Sequence, residues 1–300
     1  MSRRGAGLMA YIIASFGLSW ALWHGLAGQG WEPGSPDIRW AVLQGAFAPA
    51  LAAIAVRLWV DQGFGDAGLG LRMRQGWRYY LLAWFLPLPG VALVLLAAQL
   101  FGLAEVDWTF QSGLAGLPLP EGAAQPENVG RFSMLMVSLA SAALATPILF
   151  GEEFGWRGYL QQRIFRGKPL VAAVATGCLW SLWHLPLNLR GYNFPDNPLL
   201  GVLVFTVSCV LLSIIFGWLL ATSGSIWCAS LAHASTNAVG ASLVLMATDG
   251  KPDLAVAYLG LLGWIPLGLL AGWIVATGRL RPLPAKAPPP PGHEGERDVP

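Results

Sequence analysis

The stretch RFSMLMVSLASAALATPILFGEEFGWR, residues Arg131–Arg157, decides how the chain is read. From Arg131 to Phe150 it carries a single charge, at its first residue. A helix crossing a bilayer needs roughly 20 mostly apolar residues, and this run supplies them. Two adjacent carboxylates, Glu152 and Glu153, then follow directly, with Arg157 one helical turn on. An ionisable side chain inside a membrane costs roughly 2.5–3.5 kcal/mol on insertion scales. Three of them beside hydrocarbon therefore mark a place where charge is put to use.

The rest of the chain agrees with a membrane reading. Of 300 residues, 55% are hydrophobic and 11% charged, with 15 Trp and a mean hydropathy of +0.55. A soluble domain carries about 25% charged residues, so this chain lacks the charge to cover a water-facing surface. Eight apolar segments are long enough to be read as spans, at 8–28, 38–60, 77–101, 131–151, 169–187, 198–222, 225–247 and 253–277. The expected fold is an all-α, polytopic membrane helical bundle of about eight transmembrane helices. The first run follows Arg3 and Arg4 as a signal peptide would, but it has no small-x-small cleavage site and is read as a helix.

Basic residues orient the bundle. With the N-terminus placed inside, only Arg39, Arg131, Arg190 and Lys251 of the 18 Lys and Arg fall in outer loops, leaving 18 − 4 = 14 inside. Cytoplasmic loops retain Lys and Arg, so both termini are expected in the cytoplasm. Residues 1–278 then form the integral membrane domain, and the proline-rich 279–300 a disordered cytoplasmic tail. The net charge of +2 gives no sign of nucleic-acid binding, and Cys178, Cys209 and Cys228 read as packing residues within apolar segments.

Polar residues recur at three points in the apolar segments: Glu152, Glu153 and Arg157 at the end of the fourth, His184 in the fifth, and His233 with Asn237 in the seventh. Glu153 and Arg157, Trp180 and His184, and His233 and Asn237 are each spaced i, i+4, which stacks each pair on one helix face. Glu152 points about 100° away from Glu153. The economical division has Glu153 neutralising Arg157 while Glu152 projects into the bundle. Taken singly, these are a helix-end ion cluster, a packing histidine and interhelical polar contacts. Together on three helices they read as a hydrolytic site or as a proton or ion pathway.

In order, Glu-Glu-x-x-x-Arg (152–157), aromatic-x-x-x-His (180–184) and His-x-x-x-Asn (233–237) resemble the signature of the CPBP family. These are intramembrane endopeptidases related to CAAX prenyl proteases and to bacterial bacteriocin-processing and self-immunity (Abi) proteins. The resemblance covers roughly residues 130–247, the expected catalytic core, about 40% of the chain. One departure is Trp180, where the family usually has Phe. The resemblance implies peptide-bond hydrolysis in a multi-pass protein of a bacterial cell membrane, with the active site towards the cytoplasmic side. Glu152 would be the general base, helped by His184, with His233 and Asn237 stabilising the oxyanion. Glu153 and Arg157 would hold the fourth helix in register, and Trp180 would form an aromatic wall. No cofactor is favoured, although Glu152, His184 and His233 could together ligate zinc. The implied partners are the lipid bilayer and a membrane-embedded or lipidated peptide or protein substrate.

Other readings are weaker. The chain has no G-x-S-G of a rhomboid and no H-E-x-x-H of a site-two metalloprotease. Gly63-Phe64-Gly65-Asp66 matches the G-x-G-D of presenilin-type proteases, but it sits in an arginine-rich loop and reads as a turn. A proton-coupled transporter would show paired broken helices or internal repeats, which are absent. A non-catalytic scaffold or immunity protein of the same fold remains as the alternative. Depth supplies one tension: His184 lies 15 residues past Pro169, deeper than Glu152 at the end of its span. The fifth helix is therefore expected to enter the membrane late, or to be distorted by Pro186.

Overall fold

The computed structural model describes residues 3–28, 42–61, 63–111, 130–248 and 254–281, in which helices joined by turns make up the regular structure and no strand occurs. Helices satisfy their own backbone hydrogen bonds, which is what a chain in lipid requires. They are α1 (Arg3–Ala27), α2 (Val42–Val60), α3 (Met73–Leu100), α4 (Arg131–Arg163), α5 (Pro169–Trp183), α6 (Pro198–Ser223), α7 (226–247) and α8 (Trp264–Ala276). Every expected span overlaps one of them.

Among the described residues the helices differ in length. Five helices, α1, α2, α3, α4 and α6, are long and apolar enough to cross a membrane, while α5 and α8 are shorter apolar helices. Residues 254–263, expected in the last span, turn tightly instead. A Cβ at Gly263 would lie 1.9 Å from the Tyr258 carbonyl oxygen. Large apolar side chains stand exposed along the helices, Leu144, Leu199 and Phe132 among them, as lipid-facing surfaces require. The expected disordered tail lies outside the described residues beyond Arg281, and so do residues 112–129 of the long outer loop.

The fourth span also differs from its expected end at residue 151. The helix continues through the acidic motif to Arg163, with its turns widening to a π-helix at Trp156–Leu160. α5 begins at Pro169, where a proline costs no hydrogen bond, and closes at Trp183 because Pro186 has no N–H for the Leu182 carbonyl. The longer α4 narrows the depth difference to about one helical turn, since His184 lies 15 residues past Pro169 and Glu152 11 residues before the end of α4. Glu152 lies 163 − 152 = 11 residues before the end of α4, and Trp180 lies 180 − 169 = 11 residues after the start of α5. At 1.5 Å per residue both stand about 16 Å from the connecting turn. α4 packs against α7 and α2, and α5 packs against α6. Gly177 permits the α5–α6 approach, since a Cβ there would lie 2.5 Å from Val210 Cα.

Candidate active site

The charged motif of α4 is enclosed: Glu152 is 4% exposed, and Glu153 and Arg157 are 0%. Buried charges require partners, and the two glutamates find different ones. Glu153 Oε1 pairs with Arg157 Nη1 at 2.8 Å, as the i, i+4 spacing predicts, and with His233 Nδ1 of α7 at 3.0 Å. Glu152 Oε2 instead accepts the indole N–H of Trp180 at 2.8 Å. Its other oxygen has no hydrogen bond among the described residues and is not one of the sealed unpaired atoms. The Arg157 guanidinium lies 4.3 Å from the Trp180 ring centroid and 5.2 Å from that of Phe216, a cation–π arrangement strengthened by desolvation.

Both histidines are held through Nδ1. His184 ends α5, and its Nδ1 lies 2.9 Å from the Trp180 carbonyl oxygen. A carbonyl only accepts, so Nδ1 carries the proton and Nε2 of the neutral ring holds a lone pair. His233 gives its Nδ1 proton to Glu153 in the same way, so its Nε2 carries a proton only in the imidazolium form. Neither Nε2 has a protein partner among the described residues, and neither is sealed. The ring of His184 packs 4.6 Å from Trp183 and 5.2 Å from Phe205. The imidazole of His233 meets Trp180 edge-on at 5.0 Å.

Asn237 stands apart from this cluster. It lies in the π-helical segment Thr236–Ala241, is exposed, and makes no side-chain hydrogen bond among the described residues. The wider turn moves it off the α-helical face that the i, i+4 spacing assumes. The expected Trp180 wall is present, with a hydrogen-bond donor in it.

Three supports were not read in the sequence. His233 bonds Glu153, not Asn237. Ser19 of α1 accepts the Trp183 indole N–H at 2.9 Å and donates to the Gly45 carbonyl at 3.1 Å, tying α1 and α2 to the turn that carries His184. The buried stripe Gly7, Tyr11, Ser15, Ser19, Trp23 on α1 was the signal for it. Asp66, in the G-x-G-D turn, pairs with Arg57 at 2.6 Å and with Arg163 at 2.8 Å. Burial works to raise the Asp66 carboxyl, but the Arg57 hydrogen bond and the two guanidinium charges outweigh it and hold it below its ordinary value.

A zinc ion does not fit this arrangement. Among the described residues no three His, Cys, Asp or Glu side chains converge to hold a metal.

Residues 132–239 match the family described as type II CAAX prenyl endopeptidase Rce1-like. That segment contains every site residue from Glu152 to Asn237. No curated protein matches the chain.

Proposed function

Because residues 132–239 of this integral membrane protein match the Rce1-like type II CAAX prenyl endopeptidases, a protease family, we propose that it hydrolyses a peptide bond of a membrane-associated substrate without a metal ion. The division between the two adjacent glutamates carries this reading. Glu153 takes Arg157 and His233 on one oxygen while its other oxygen is sealed off, whereas the oxygen of Glu152 that has no protein partner is not sealed.

A water donating one hydrogen to Glu152 and the other to His184 Nε2 attacks the scissile carbonyl carbon. Its proton passes to Glu152 as the new C–O bond forms. The carbonyl becomes a tetrahedral oxyanion, which the imidazolium form of His233 and the amide of Asn237 stabilise. Glu152 then returns the proton to the leaving nitrogen as the C–N bond breaks. A positioned base contributes about 10²–10⁴-fold, and each oxyanion donor about 10²–10³-fold. Asn237 must turn inward for this, which the exposed side chain leaves room to do. The Lys and Arg distribution supports an orientation with the Arg163–Lys168 turn in the cytoplasm, about 16 Å below Glu152.

Purified protein in lipid nanodiscs, incubated with a prenylated C-terminal peptide and its unprenylated counterpart, tests the reading by mass spectrometry. The expected result is cleavage of the prenylated peptide by wild type and none by Glu152→Gln. Equal cleavage by the two proteins would overturn it, as would zinc-dependent activity lost to a chelator and restored by the metal.

A further inference from the structure

The indole of Trp180 touches more of the charged site than any other side chain described above. Its N–H donates to Glu152 Oε2 at 2.8 Å, and its ring receives the Arg157 guanidinium at 4.3 Å. Its edge meets His233 at 5.0 Å, and its backbone carbonyl accepts from His184 Nδ1 at 2.9 Å. Three of these contacts need only an aromatic ring or a peptide carbonyl. The bond to Glu152 needs an indole, because phenylalanine has no donor.

That bond has a specific consequence. A glutamate side chain turns about three torsions, the last of them broad, and a lone carboxylate in a half-open pocket presents either oxygen. Trp180 is 2% exposed and 11 residues up its helix, level with Glu152, so the donor is fixed in place. It captures one oxygen and leaves the other as the only acceptor. A hydrogen bond to an ionised group is shorter and roughly twice as strong as a neutral one. Glu152 has no other hydrogen bond among the described residues to set its direction.

We propose that Trp180 is a positioning residue whose indole N–H fixes the carboxylate of Glu152 so that a single oxygen is presented to the attacking water. This rests on the reading of Glu152 as the base. The aromatic wall has a second role in this chain, and the Trp found where the family signature usually has Phe is what provides it.

The test replaces Trp180 by benzothienylalanine, which keeps the fused ring system and exchanges N–H for sulfur, beside Trp180→Phe and Glu152→Gln. Prenylated-peptide cleavage in nanodiscs and the indole proton resonance of Trp180 are both measured. In wild type that resonance is expected downfield, and in Glu152→Gln it moves upfield as a charged acceptor becomes a neutral one. Benzothienylalanine is expected to lower kcat about tenfold with KM unchanged, since a small misplacement of a reacting group costs up to about 10²-fold. The thermal midpoint should hold, which separates positioning from folding. Benzothienylalanine protein with wild-type kcat, or a resonance that ignores Glu152→Gln, would overturn the inference. If in that case Glu152→Gln is inactive, the proposed function stands without it; if Glu152→Gln is fully active, both fail.

Discussion

Two carboxylate clusters brace the same helix, and they differ in what they leave open. At the end of α4, Asp66 has both oxygens taken by guanidinium groups, one by Arg57 and one by Arg163. Further up α4, Glu153 is bound by Arg157 and His233, but Glu152 is held by one N–H and keeps an open oxygen. A saturated carboxylate ties elements together, here the 63–72 loop, α2 and α4. An unsaturated one, enclosed and aligned, retains the capacity to accept a proton. The G-x-G-D turn and the Glu-Glu motif are thus two acidic signals of opposite purpose, distinguished by their partners and not by their sequence.

The largest expected break in that comparison is Glu152→Gln, which should lower cleavage about 10³-fold with an unchanged thermal midpoint in detergent. Asp66→Asn should leave turnover within about twofold, because its cluster binds no substrate in this account. Arg157→Ala should act on stability, by about 3–5 kcal/mol, because it leaves Glu153 charged and enclosed without its cation. Thermal unfolding and yield from membranes read that loss directly. Asp66→Asn should cost about 1 kcal/mol or less, since Asp66 is 40% exposed and water screens the pair. If the two losses proved equal, burial would not be what separates the clusters.

Gly177→Val sharpens the packing side of the comparison. Its new side chain meets Val210 backbone across the α5–α6 contact, and an overpacking cost of about 1–3 kcal/mol is expected, with reduced turnover as Trp180 and His184 shift. The smallest effect is acidic. Asp66 titrates lower in the folded protein than in the unfolded chain, so its contribution is fully present above the ordinary carboxylate range. It is lost as pH falls through the depressed folded value. The difference in thermal midpoint between wild type and Asp66→Asn should therefore narrow on acidification, and a difference that widened would contradict the assignment.

Much of this was legible because membranes enforce simple rules. Length and apolarity located a helix in each of the eight expected segments, and the i, i+4 rule found the Glu153–Arg157 pair that the structure contains. The helix ends were not legible. Glu152 to Arg157 looks polar enough to leave the membrane, yet Glu153 and Arg157 neutralise each other within the bundle and α4 runs on to Arg163. His233 and Asn237 were read as one face, but the π-helical turn after Ser235 is a backbone choice that residue spacing does not encode. The partner of Glu153 across the bundle, His233, and the donor to Glu152, Trp180, depend on how three helices meet. Sequence periodicity reports faces within a helix and is silent on contacts between helices.

The central claim is that Glu152 is the base of a membrane protease. The most direct measurement compares membrane-protein termini in host cells carrying wild type, a deletion, or Glu152→Gln at equal abundance. New termini that appear with wild type and vanish in both other strains are the predicted result, and they would name the substrates. A Glu152→Gln strain with the termini of wild type, beside a deletion that lacks them, would contradict it.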